Sequence, residues 1–70
     1  MMKQEEISIR FTYHPPKGDQ AERYVKLRDK AREFAVEIAA LTPESREQSL
    51  SLTALEESVF WANAAIARRE

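Results

Sequence analysis

Seventy residues with 11 basic and 12 acidic side chains, one glycine, one histidine and no cysteine make one domain at most, and a marginal one. Ordering such a chain costs on the order of 1.5 kcal/mol per residue, which the apolar burial inside so small a unit barely offsets. The lack of cysteine excludes disulfides and thiolate metal sites and fits a reducing compartment. A single histidine cannot supply a structural zinc site, and a net charge of -1 is not the excess of a general DNA-binding or membrane-surface protein.

Assembly remains as the source of stability, so an obligate homo-oligomer is expected. No apolar run approaches a membrane span, and Met1-Met2-Lys3-Gln4-Glu5-Glu6 does not read as a signal peptide. The expectation is a soluble, cytosolic protein with neither DNA nor membrane as partner and no cofactor. A nucleotide-like ligand then needs a local basic pocket. Charged residues at 33% and apolar ones at 43% fit a folded, well-solvated helical chain.

The chain divides into an arm over 1–18, a helix over 19–41 and a second helix over 43–69, together one helical hairpin domain. In the arm Ile7, Ile9, Phe11 and Tyr13 alternate with Ser8, Arg10, Thr12 and His14. That period of two predicts an extended segment. No second strand is available to pair with it, so it is expected to lie on the helices, with a short helical turn near Glu5. Pro15-Pro16 stiffens its exit.

Asp19-Gln20-Ala21-Glu22 has the pattern of a capping box opening the first helix. Tyr24, Leu27, Ala31, Phe34, Ile38 and Leu41 then follow at alternating spacings of three and four, one continuous stripe. At ~1.5 Å per residue the helix is roughly 33 Å long. Thr42-Pro43 is expected to end it and start the next, with Thr42 as N-cap and Pro43 in the first turn. The second stripe is Leu52, Leu55, Val59, Ala62 and Ile66, with Arg68 and Arg69 at the carboxyl end, where cations are favoured. So short a connection predicts an antiparallel pair.

More apolar surface is present than this seam uses. Leu50, Ala54, Trp61 and Ala65 flank the later helix, Phe60 lies on a further side, and Val25, Ala35, Val36 and Ala39 flank the earlier one. Such surface marks association, or is covered by the arm.

Catalysis is not expected. Glu56 and Glu57 are helix neighbours whose side chains point about 100° apart and do not converge. One glycine cannot make a phosphate-cradling loop, and His14 without a nearby carboxylate reads as an exposed or hydrogen-bonding residue before it reads as a base. Anion binding fits better. Arg28 and Arg32 are four apart, where like charges repel by a few tenths of a kcal/mol. They suit a ligand's phosphates, acids of another subunit, or plain solvation, and Ala35 and Ala39 beyond them leave room. Phe11-Thr12-Tyr13-His14-Pro15-Pro16-Lys17 adds aromatics for base stacking and a cation; Phe11 suits packing and Tyr13 ligand contact.

That run, with Ser45-Arg46-Glu47-Gln48-Ser49-Leu50, Leu55-Glu56-Glu57 and Trp61-Ala62-Asn63-Ala64-Ala65-Ile66-Ala67-Arg68, resembles the phage anti-CBASS protein 2 family from about Phe11 onward. The hairpin also resembles the helical part of an anti-Thoeris sponge, which carries an additional domain for which this chain has no room. The resemblance implies an all-α hairpin assembled as a homohexamer, a trimer of dimers, in the cytoplasm of an infected bacterium. It implies a non-enzymatic sponge that holds cyclic dinucleotides such as cyclic GMP–AMP between protomers, and cyclic trinucleotides in separate pockets, away from the CBASS effector. By the same resemblance the dinucleotide site falls on Tyr13, with His14 beside it, and on Arg28, with Lys26 as substitute and Arg69 as a further phosphate ligand. The trinucleotide site falls on Ala35 with Arg32 nearby. The rival readings are a structural oligomer or protein adaptor with no nucleotide ligand, and a small cyclic-nucleotide hydrolase.

Overall fold

The computed structural model describes residues 3–70; Met1 and Met2, part of the acidic start and of the 1–18 arm, lie outside the described residues. The described residues form three helices and no strand: α1 over Gln4–Arg10, α2 over Gln20–Leu41 and α3 over Arg46–Arg69. The chain is thus all-helical, and α2 packed on α3 is the hairpin.

Tyr24, Ala31, Ala35 and Ile38 of α2 face Leu52, Leu55, Val59 and Ile66 of α3, and all eight are half-buried. Among the described residues no apolar side chain is fully buried. The extents of 45 × 32 × 13 Å explain why: a thickness of 13 Å is about one helix diameter. The Cα radius of gyration is 15.4 Å, against about 11 Å for a compact chain of this length. A single layer has an open side above and below its seam, so Leu27, Phe34 and Leu41 of the expected α2 stripe stay exposed and Ala35 takes the inner place beside Phe34.

Three local expectations are corrected. The arm is not extended throughout: Ile7 to Arg10, the first half of the alternating run, are helical. With no strand to pair with, these residues satisfy their backbone groups internally. Glu5 and Glu6 in the first turn and Arg10 in the last match the helix dipole, and Arg10 Nε donates to Glu6 Oε2 at 2.8 Å. From Phe11 to Lys17 the chain is irregular.

Asp19 does not cap α2 through its side chain. Its carboxylate accepts instead from Arg23 Nε at 3.2 Å. The corner is held by Gln20, whose Oε1 accepts from Lys17 N at 3.0 Å and whose Nε2 donates to the Ile66 carbonyl at 3.2 Å. Gln20, with 3% of its surface exposed, is the one fully buried residue among those described, and Gly18 makes the turn before it with φ of 57°, where a side chain is disfavoured.

The second helix begins at Arg46, not Pro43. Thr42 is the C-cap of α2, extended at φ −124° and ψ 151° as a residue before proline must be. Ser45 is the true N-cap, its Oγ accepting from Gln48 N at 3.1 Å. The Gln48 side chain reaches back across the corner, donating to Thr42 O at 3.1 Å and Thr42 Oγ1 at 3.0 Å.

Candidate ligand-binding clefts

Two adjoining clefts run along one side of the α2–α3 seam. The first, of about 420 Å³, lies where the arm crosses the hairpin. Tyr13 and His14 come from the arm, Tyr24 and Arg28 from α2, and Phe60, Asn63 and Arg68 from α3, with Arg10 at the end of α1. Helical spacing explains the convergence: Tyr24 and Arg28 are one turn apart, as are Phe60, Ala64 and Arg68. Ala64 and Ala67 make the floor, where larger side chains would fill the space.

Among the described residues three guanidinium groups and no carboxylate line this cleft. Arg10 is partly neutralised by Glu6; Arg28 and Arg68 make no ion pair among the described residues. His14 Nε2 lies 2.8 Å from the Ile9 carbonyl oxygen, which fixes the ring and satisfies an acceptor near the open end of α1. The Tyr13 ring is almost wholly exposed, at 80%, so its flat face is free to stack.

The second cleft, of about 670 Å³, continues toward the hairpin turn. Arg28 and Arg32 stand on its α2 side above Ala31 and Ala35, and Leu52, Leu55, Val59 and Phe60 line its α3 side. Glu56 is its one carboxylate, so it is less cationic and more apolar than the first. Arg28, Phe60 and Asn63 line both clefts. Asn63 Oδ1 is buried there with no hydrogen-bond partner among the described residues, an arrangement that costs about 1–3 kcal/mol until a donor meets it.

Of the residues the resemblance pointed to, Tyr13, His14 and Arg28 meet at the first cleft, and Arg32 and Ala35 line the second. Lys26 lines neither, since two residues from Arg28 is about 200° around the helix. Arg69 lines neither as well: its Nη1 and Nη2 donate to Glu6 Oε1 and Oε2 at 3.0 and 2.8 Å, clamping α1 to the end of α3. Arg69, and after it Arg10, holds the Glu6 carboxyl down to about 2, while Arg69 itself is pushed upward by Glu6. A second clamp joins Arg23 to the terminal Glu70 (Nη1 to Oε2, 2.8 Å), and Arg23, then Gln20, lowers that carboxyl to about 2.

Sequence reasoning did not assign Arg10, Tyr24, Phe60, Asn63 or Arg68 to the clefts. Tyr24 belongs to the seam stripe as well as to the cleft, and Phe60 lies at an angle that the apolar periodicity leaves unassigned. The available signal was the row Phe60, Ala64, Ala67 and Arg68 read against Tyr24 and Arg28 of an antiparallel neighbour.

A flat helical hairpin without a dry core, flanked by cation-lined and aromatic-lined clefts, defines a small binding module. The chain belongs to the Acb2/Tad1 hairpin-domain family, whose family model matches residues 3–67. That is a family of binding proteins, sponges for cyclic nucleotides in the anti-CBASS sense, and not of enzymes. No curated protein and no solved structure matches the chain.

Proposed function

We propose that this chain sequesters cyclic oligonucleotide second messengers without cleaving them, and so keeps them from a CBASS effector in the cytoplasm of an infected bacterium. Cyclic dinucleotides such as cyclic GMP–AMP occupy the first cleft and cyclic trinucleotides the second, in a homo-oligomer built as a hexamer. The observation that carries this reading is the meeting of Arg10, Arg28 and Arg68 with Tyr13, Tyr24 and Phe60 around one cleft that, among the described residues, no carboxylate lines. Guanidinium groups bind phosphates through paired N–H donors, and aromatic faces bind bases of any sequence by stacking.

In the first cleft Arg28 and Arg68 take the phosphates, Tyr13 stacks on a base, and His14, anchored on the Ile9 carbonyl, flanks the sugar–phosphate ring. In the second, Arg32 supplies charge and Ala35 the space for a larger ring. Lys26 and Arg69 act outside the clefts. Both clefts are open on one side, and a neighbouring protomer completes them, which is why assembly and binding belong together.

Incubation with cyclic GMP–AMP, repurification, denaturation and mass spectrometry separate the readings. Intact ligand recovered from the protein is the expected result. Linear product indicates a hydrolase, and no retention of any cyclic di- or trinucleotide overturns the sponge in favour of an adaptor. The adaptor reading draws on the exposed Trp61, Val36 and Leu50, which a protein partner could cover.

A further inference from the structure

Asn63 lies in the interior of α3, where asparagine is a weak helix former. Its side chain gains nothing local in return: Oδ1 is buried with no hydrogen-bond partner among the described residues. Donors are not scarce. Arg28 lines both clefts beside it, and Tyr24 and Arg68 line the first, yet none donates to Oδ1. An acceptor so placed costs the free protein stability and is left for a donor that enters the clefts.

The surroundings of Asn63 fit a nucleobase. Phe60 stands three residues earlier, a neighbour on the same face of the helix. It lines both clefts, as Asn63 does, and 60% of its surface is exposed. A base stacked on that ring has its edge within reach of the carboxamide. Asparagine offers an acceptor beside a donor, and its end torsion is broad and roughly two-fold, so Oδ1 turns out to a ligand without movement of α3. Adenine matches this pattern: its N6 amine donates and the neighbouring N7 accepts, the bidentate pairing by which asparagine reads adenine. On the same edge guanine presents O6 and N7, two acceptors that leave Oδ1 unpaired.

We propose that Asn63 reads adenine in the bound messenger, Oδ1 accepting from N6 and Nδ2 donating to N7, while Phe60 carries the base and Arg28 the adjoining phosphate. The proposal rests on the cyclic-nucleotide reading above and deepens it by naming the base. Asn63 lines both clefts, so the preference extends to di- and trinucleotides alike.

Cyclic di-AMP and cyclic di-GMP share their ring and phosphates and differ only in the base. Calorimetric titration of both ligands tests the proposal on the parent chain, Asn63→Leu and Asn63→Asp, with thermal melting of each ligand-free protein alongside. The parent is expected to favour cyclic di-AMP by roughly 10-fold. Asn63→Leu, which keeps the branched shape, is expected to erase that preference by weakening cyclic di-AMP alone. Its melting temperature should hold or rise, because an unpaired buried acceptor is gone. In Asn63→Asp the new charge weakens both ligands, and the ratio between them reads the base. That ratio is expected to swing toward cyclic di-GMP, whose N1–H and N2–H donors suit a carboxylate.

A parent without preference, or equal loss of both ligands in Asn63→Leu, overturns adenine reading and leaves cyclic-nucleotide binding standing. A lowered melting temperature in Asn63→Leu with unchanged affinities assigns the side chain to the fold and overturns the proposal as well. A parent that binds neither ligand overturns the dinucleotide reading and this proposal with it.

Discussion

Arg28 stands between the two clefts and lines both, whereas Tyr13 lines only the first and Ala35 only the second. The three positions therefore predict different patterns of loss. Removing a charged hydrogen-bond donor costs about 1.5–3 kcal/mol, so Arg28→Ala is expected to weaken cyclic dinucleotide binding roughly 10- to 100-fold and to lower trinucleotide retention too. Tyr13→Ala is expected to weaken only the dinucleotide, and Ala35→Val, which crowds the second cleft, only the trinucleotide. Lys26→Ala should leave both within about two-fold, given its place outside the clefts. Competition against a labelled ligand reads all four. Equal binding by Tyr13→Ala, Arg28→Ala and the parent would remove these residues from the site.

The Glu6–Arg69 clamp makes a pH prediction with a definite sign. Glu6 is held near 2, against an ordinary value of 4.5, chiefly by Arg69. A carboxyl depressed in the folded state contributes in full above its unfolded pKa and loses that contribution as pH falls through the folded value. Docking of α1 should thus persist above pH 4.5 and fade toward pH 2. Amide exchange over residues 4–10 measures it, and Glu6→Gln should abolish the transition, with rapid exchange at neutral pH.

At the scale of the elements, α3 depends on Ser45. Ser45→Ala removes the acceptor for Gln48 N and is expected to destabilise by about 1 kcal/mol, read as a fall in melting temperature. Glu44→Ala, just outside the helix, should do almost nothing; the opposite ranking would restore Pro43 as the start. Both helices were legible because Tyr24, Ala31 and Ile38, and Leu52, Leu55 and Val59, repeat at helical spacing without proline or glycine between them. The caps were less legible because Thr42 and Ser45 are both good capping residues, and only the back-reaching Gln48 distinguishes them. The period of two in the arm misled because Ile7 and Ile9 alternate by residue type alone, while the seven residues of α1 are too few to form a helix without the Arg69 clamp. The first cleft was half legible: Tyr13, His14 and Arg28 carry recognisable chemistry, but Arg10, Asn63 and Arg68 acquire theirs only when three distant segments meet.

At the scale of the whole molecule, a slab 13 Å thick with no fully buried apolar side chain among the described residues has little of its own to offset the entropy of folding. In the proposed assembly, partner copies that bind only the folded chain stabilise it by mass action. The melting temperature is expected to rise with protein concentration, and a monomer whose melting is independent of concentration would contradict this. No described helix is long and apolar enough to cross a membrane. The proposed assembly would cover the exposed apolar rows of α2 and α3 and close the clefts that open beside them.

The clefts are proposed to hold a cyclic nucleotide and to release it unchanged. Isothermal titration of the parent chain with cyclic GMP–AMP, followed by denaturation and chromatography of the released ligand, addresses it most directly. The expected result is a saturable exothermic curve at fixed stoichiometry, sharply weakened in Arg28→Ala, with the ligand recovered intact. A titration without saturable heat, or recovery of linearised nucleotide, would contradict it.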